Sequence, residues 1–598
     1  MTRRSRLLVA LALGLATTTL LSLGHRRVGY VRDEGIYFVA SRHHAAWAAH
    51  LLRAPGEALT AQARDRAFNV NHEHPALMKI AGGVSARLFA APGLPAGQPE
   101  PAPAGLLPLM PEGAAMRLPA QLLAGLAVAL LFLTGASLAA PPTRTPQPVP
   151  STTHTPPVPP TTPPVPSTRP PVPPTTPPVP PDSTLPLLAG LCAALWFIAL
   201  PHVWFHAGLH CFDVPVAAAT LAVVLIYRRA LHSPRWALAL GPALGVAISI
   251  KLNALFIPVL LALHYGLCLV LARRRPRPGQ LLPLPFLAMA VLAPLTALAL
   301  WPWLWSDPVG RALEYYAFHQ QHAYYNTEFL GINYNRPPLP ISYPFVLTWA
   351  TVPTGALLLA LLGLGLGLRR DLTPAPRDTS PVPSDTPTWR APLRGQATRD
   401  GLLWALFAIF PIALIALPTI PIFGGTKHWI TAYPFLALAA ATAFIALARA
   451  AALRGRWRHA PAAALLLVLV PGVWSTIDGH PHGLSQYAPL VGGARGAADL
   501  GLLRGFWGHD LPPGVFTSPG APIYLHDLHE LSRQQYAREG RWPAGNTPTN
   551  PSRARQGLLF HERHMQSLEI QLWESLHTTA PAEVVTLDDV PLTSLYRE

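Results

Sequence analysis

The sequence predicts an α-helical polytopic membrane protein of about eleven transmembrane helices, completed by a small C-terminal α/β region outside the bilayer. Half of the 598 residues are hydrophobic and only 12% are charged, too little charge to cover a soluble surface of this size. Apolar runs of about 17–25 residues recur along the chain, the length needed to cross ~30 Å of hydrocarbon. The arginines sit in short clusters between these runs and form no single basic face. The formal charge of +16 therefore points to membrane topology and away from nucleic acid.

In chain order, the spans are expected at 7–24, 117–140, 185–205, 214–230, 236–250, 253–271, 283–304, 344–368, 401–419, 429–448 and 460–475. Arg3, Arg4 and Arg6 precede the first span and place the N-terminus in the cytoplasm. Alternate crossings then bring three further groups to the same side: Arg228, Arg229 and Arg235; Arg273, Arg274, Arg275 and Arg277; and the Arg369–Arg370 pair. Arg454, Arg456 and Arg458 follow them. Every dense cluster between spans thus falls inside, except for the basic residues of the first long loop. No small-x-small cleavage site follows the first span, so it reads as a retained anchor.

Residues 1–140 thus hold two spans and a long outer loop, 25–116. Residues 141–184 are a Pro/Thr-rich repeat, typified by PPVPPTTPPVP, which cannot form a packed core and is expected to be extended or disordered in the cytoplasm. Residues 185–475 hold the remaining spans, with an outer loop at 306–343 and a proline-rich inner loop at 369–399. Residues 476–598 form an external tail with strand-like runs such as EVVTLDDVPLTSLY. Cys192, Cys211 and Cys268 lie in or beside apolar runs and supply neither a disulfide framework nor a zinc spacing.

Ionisable groups at a membrane boundary are costly, so they are candidates for function. The 45 Lys and Arg residues include only three lysines, Lys79, Lys251 and Lys427, and all three fall on the expected outer side. A compact ammonium suits a phosphate as a point-charge partner. Asp33 and Glu34 are adjacent carboxylates just beyond the first span. They either pair with neighbouring arginines or supply a general base for an acceptor hydroxyl. In FNVNHEHPALMK, His74 and Pro75 read as a helix start, with Lys79 one turn in.

The neighbouring His72, Glu73 and His74 offer ligands for a divalent cation, although adjacent residues rarely converge on one ion. Asp213, before Pro215, fits a helix N-cap. The loop at 306–343 carries His319, His322, Tyr324 and Tyr325, amphipathic rings suited to the interface or to a sugar face. Lys427 and His428 stand just before the tenth span. There is no Walker-type or Rossmann glycine pattern, which sets aside a nucleotide-driven reaction.

Taken in order, several of these motifs resemble bacterial members of glycosyltransferase family 39. This is the protein O-mannosyltransferase-like branch of the GT-C superfamily, related to the lipid A aminoarabinose transferases. The matching pieces are the Asp33-Glu34 pair, HPALMK from His74, FDVP around Asp213, GGTKHWITAYPFLAL from Gly424, and the tail string from His482 that ends in FWG. Two departures are Ala76, where the family motif often has a second proline, and FWG in place of YWG.

The resemblance implies a GT-C-like fold in a bacterial inner membrane, with the tail and the active site in the periplasm. It also implies a polyprenyl-phosphate-sugar donor, a protein, lipid or glycan acceptor, and inversion at the anomeric carbon. By carry-over, Asp33 is the base and Glu34 positions the acceptor. His74 and Lys79 lie near the donor, Lys427 and His428 neutralise the leaving phosphate, and Asp213 is a second important acid. The alternative is a transporter or lipid flippase. Such proteins place ionisable groups near the midplane and show internal repeats, whereas these groups lie at one boundary.

Overall fold

The computed structural model describes residues 2–93, 102–140, 184–272, 278–321, 326–334, 336–373, 389–390, 392–393, 398–420, 424–453, 460–517, 522–543, 545–561, 567–576 and 578–597. The Pro/Thr repeat (apart from Thr184), most of the loop at 369–399, His322, Tyr324 and Tyr325 lie outside the described residues. So do the arginine clusters at 273–277 and 454–458.

Every expected span falls on helix. Among the described residues, six helices are long and apolar enough to cross a membrane, or seven if one bent pair forms a single span; the chain is a multi-pass membrane protein. The shortfall against eleven has a local cause, because proline and terminal charge shorten several segments. The span expected at 185–205 is two helices, Leu185–Ile198 and Pro201–Ala207, bent by 75°. Pro201 has no N–H to continue the helical ladder. The span at 344–368 divides in the same way into Tyr343–Thr351 and Thr354–Leu372, with Pro353 between them.

Burial separates centre from rim. Most of the Ile430–Ala452 span, 83% of its apolar window, is inside the protein, against 22% for Arg3–Gly24 and Pro461–Asp478. The central span packs on Leu185–Ile198 and Thr354–Leu372, while Arg3–Gly24 lies against Glu112–Ala139. Helix backbones cross closely where side chains are small. A Cβ on Gly14 would stand 2.9 Å from the Gly125 carbonyl oxygen, the kind of contact that holds membrane helices together without a hydrophobic drive.

The loop at 25–116 is largely helical. Its main elements are Arg32–Arg53 and Leu77–Phe89, so the second helix starts two residues after Pro75. The tail folds into a four-stranded sheet in the order β1-β2-β4-β3, from strands β1 (Ile523–Leu525), β2 (Gln556–Phe560), β3 (Glu583–Leu587) and β4 (Val590–Arg597). β3 and β4 are antiparallel. Asp588 and Asp589 between them both have positive φ, 49° and 63°, as a two-residue hairpin turn requires.

The tail is bolted to the first loop. The Tyr536 hydroxyl accepts from Tyr30 N at 2.6 Å, Ser532 Oγ donates to the Val31 carbonyl at 3.0 Å, and Arg42 donates to Gln535 at 2.6 Å. These bonds fix the start of helix Arg32–Arg53, where Asp33 and Glu34 sit.

Candidate active site

Asp33 lies in the first turn of helix Arg32–Arg53, where the helix dipole favours a carboxylate. Its Oδ2 is 3.7 Å from Lys427 Nζ, and the carboxylate keeps 29% of its side-chain surface exposed while Lys427 keeps 6%. One partner is thus reachable and the other is held in the wall. Lys427 rides on a 3₁₀ turn, Gly425–His428, and its ammonium stands 3.9 Å from the centre of the Trp507 ring. Gly424 has φ +82°, and a Cβ there would meet the Lys427 side chain at 2.6 Å. The glycine therefore permits both the turn and the approach. Burial holds the Lys427 ammonium below its ordinary range, while Asp33 and Asp213 act in the opposite direction.

A second pair stands beside the first. Lys251 Nζ donates to Asp213 Oδ1 at 2.5 Å, and both Lys251 and Asp213 act electrostatically on Lys427. Asp213 opens helix Asp213–Ala230 but makes no side-chain capping bond. The N-cap expectation therefore fails, because a buried acid gains more from an ammonium than from one backbone N–H. His74 completes the rim. Its ring meets Tyr37 edge-on at 5.7 Å and lies 5.4 Å from Phe212 and 6.2 Å from His319. Burial, then Lys79 and Lys251, hold its pKa well below the imidazole range. His428 follows Lys427 and is half-buried.

Two sequence assignments change in kind. Glu34 is fully buried, and each of its oxygens already accepts two bonds. Oε1 takes Arg117 Nε and His210 N, both at 2.7 Å. Oε2 takes Arg117 Nη2 at 2.5 Å and Val31 N at 3.1 Å. Glu34 therefore has no oxygen left for an acceptor. Through Arg117 and His210 it ties the Asp33 turn to helix Glu112–Ala139 and to the segment that leads into Asp213.

Lys79 is also buried, and it spends its ammonium on local oxygens. It donates to the Asn71 carbonyl, to Asn71 Oδ1 at 3.1 Å and to the His74 carbonyl at 2.8 Å. Burial pushes its pKa down to about 7. It shapes the loop that presents His74 and offers no free donor to a phosphate.

His72, Glu73 and His74 diverge. His72 turns to Glu314 at 3.3 Å, Glu73 accepts from Asn71 at 2.7 Å, and His74 faces the aromatic rim. Among the described residues no group of three or more His, Cys, Asp or Glu could hold a metal ion. Arg117 and Trp507 were missed by the sequence reading. Arg117 carried a signal, being an arginine at the edge of an apolar span that the expected topology sets opposite the dense arginine clusters.

No protein-family model and no curated protein matches the chain. Among solved structures it is similar, at 14% identity, to ArnT from Cupriavidus metallidurans. The structure bound to undecaprenyl phosphate covers 99% of this chain and 98% of its own, with a TM-score of 0.45. The apo structure covers 98% and 97%, with a TM-score of 0.46.

Chemically, the site offers a reachable carboxylate, two ammonium groups, a second acid and an aromatic rim. That set suits proton removal on one side of a bond and charge neutralisation on the other.

Proposed function

We propose that the chain is an inverting glycosyltransferase of the GT-C type, resembling family 39, which takes a sugar from a polyprenyl-phosphate carrier at the periplasmic face of a bacterial inner membrane. The observation that carries this reading is the partly exposed Asp33 carboxylate 3.7 Å from the buried Lys427 ammonium. Asp33 accepts the proton of an acceptor hydroxyl as that oxygen bonds to the anomeric carbon. The bond from that carbon to the phosphate oxygen breaks, and polyprenyl phosphate leaves with an added negative charge. Lys427 and Lys251 meet that charge, while His74, His319 and His428 line the donor side. His322, Tyr324 and Tyr325 complete the substrate loop of this reading, with the tail at 476–598 on the same face.

The test supplies radiolabelled polyprenyl-phosphate sugars to the purified protein in liposomes. Label should pass to an acceptor, with free polyprenyl phosphate released in equal amount. Asp33→Asn should abolish transfer while the protein still inserts and binds donor. Movement of intact labelled donor between leaflets, with no bond broken, would establish the flippase reading instead.

A further inference from the structure

A cavity lies at the far end of the same bundle from the Asp33 cluster. Helix Tyr433–Leu453 begins just after Lys427, and Arg449 is 16 residues along it, about 24 Å away at the helical rise. There a space of about 210 Å³ opens between that helix, Thr354–Leu372 and Asp400–Ile415. Leu138, Leu364, Leu366 and Ile445 give an apolar side and Arg370 and Arg449 a basic rim, with Asp400 and Thr442 also in the lining.

The space exists because the helices meet backbone to backbone. A Cβ on Gly367 would stand 2.9 Å from Gly401 Cα, and one on Gly363 would stand 1.7 Å from the Ala439 carbonyl oxygen. Glycine therefore lines the seam where larger side chains would otherwise fill it.

The charges at this rim do not cancel. Asp400 is taken by Arg228, whose Nε and Nη2 each donate to one of its oxygens, and Asp371 accepts from Arg370 Nε at 2.9 Å. Arg399 donates to the Asp371 and Leu271 carbonyls, and Arg449 donates to the Ala139 carbonyl at 3.3 Å. Among the described residues, four arginines thus stand against two carboxylates. Arg370 leaves 63% of its side chain exposed.

We propose that this cavity binds an anionic phospholipid, with its phosphate held by Arg370 and Arg449 and the start of an acyl chain against Leu364 and Ile445. Basic pockets between transmembrane helices recognise anionic head groups in this way. The apolar wall distinguishes a lipid from a free phosphate, and the exposed Leu358, Leu361 and Leu362 on the same helix continue the path into the bilayer. The site shares no residue with the Asp33 cluster, so its failure would leave the glycosyltransferase reading untouched.

Native mass spectrometry of the full chain in detergent tests it with three probes: phosphatidylglycerol, phosphatidylcholine of the same chains, and soluble glycerol phosphate. Phosphatidylglycerol should be retained in preference to phosphatidylcholine, with no competition from glycerol phosphate. The Arg370→Ala/Arg449→Ala protein should bind phosphatidylglycerol roughly thirtyfold more weakly, at about fivefold per arginine. Arg370→Lys/Arg449→Lys should keep most of the binding. Ala446→Trp, which obstructs the apolar side and keeps the charge, should also lose it. Equal retention of the two lipids, or an unchanged double alanine variant, would overturn the proposal. Full competition by glycerol phosphate would reduce the site to an anion site and overturn its lipid assignment.

Discussion

The buried Glu34–Arg117 pair allows the positioning role of Glu34 to be separated from a chemical one. Arg117→Met keeps the length of the side chain and removes its charge. It leaves Glu34 with two backbone donors and no cation, and it strips donors from the His25, Val28 and Gly29 carbonyls. The two side chains are 2% and 0% exposed, so solvent screens little of the loss. Breaking a buried pair from one side costs about 3–5 kcal/mol. Removing both charges, in Arg117→Met/Glu34→Gln, should therefore recover part of that cost. The assay is a double-mutant cycle on the apparent unfolding temperature in detergent, alongside transfer rate measured well below it. Each single variant should lose stability, and the double should lose clearly less than their sum. Transfer in Arg117→Met should fall by about a hundredfold even where the protein is folded, since a displacement near 1 Å of a catalytic group has that effect. Strictly additive losses, or full activity in Arg117→Met, would refute the positioning argument.

Three further outcomes follow from the same geometry. Trp507→Leu removes the ring under Lys427, 3.9 Å away, worth about 0.5–2 kcal/mol; steady-state kinetics should show a raised donor KM with acceptor KM little changed. Gly35→Ala would put a Cβ 2.4 Å from Ser532 N, so limited proteolysis should cut the tail faster while the transmembrane core stays resistant. His561 in the tail is lowered from 6.5 to about 4 by burial, then by Arg504 and His526. A histidine held neutral in this way favours the folded tail above about pH 6.5 and loses that contribution as pH falls towards 4; protease protection of the tail should decline across that window, and less so in His561→Gln.

The helical class was legible because apolar length is a one-dimensional property, and so were the strand-like runs of the tail; their pairing as a hairpin about Asp588 and Asp589 is a finding of the structure. The breaks at Pro201 and Pro353 were also written in the chain, yet an apolar run long enough to span conceals a bend within it. The lysines were informative as a set and misleading one by one. Lys251 and Lys427 reach carboxylates on other segments, whereas Lys79 closes on Asn71 and His74, a few residues away. Nothing in FNVNHEHPALMK distinguishes an ammonium that turns back on its own loop from one that faces a cleft. Glu34 fails for a related reason. It and Asp33 are neighbours in sequence, but their side chains leave the helix about 100° apart. Partners 83 and 176 residues away, Arg117 and His210, decide which carboxylate is sealed.

That division of labour bears on how Asp33 can act as a base at all. Asp33 Oδ2 and Lys427 Nζ stand 3.7 Å apart, so the carboxylate's neighbouring cation is the ammonium that the departing phosphate also needs. A phosphate arriving beside Lys427 and Lys251 competes for the same ammonium. As it draws Lys427 away, Asp33 is left to accept a hydrogen bond from the acceptor hydroxyl. In the proposed reaction, donor binding would thus free the base, and an acceptor alone would meet a carboxylate still paired. Lys427→Met should remove the coupling. Initial rates with both substrates varied should show the apparent KM for the acceptor falling as donor rises in the parent protein, and standing independent of donor in the variant. An acceptor KM that depends on donor equally in both proteins, or in neither, would show that Asp33 and Lys427 act independently.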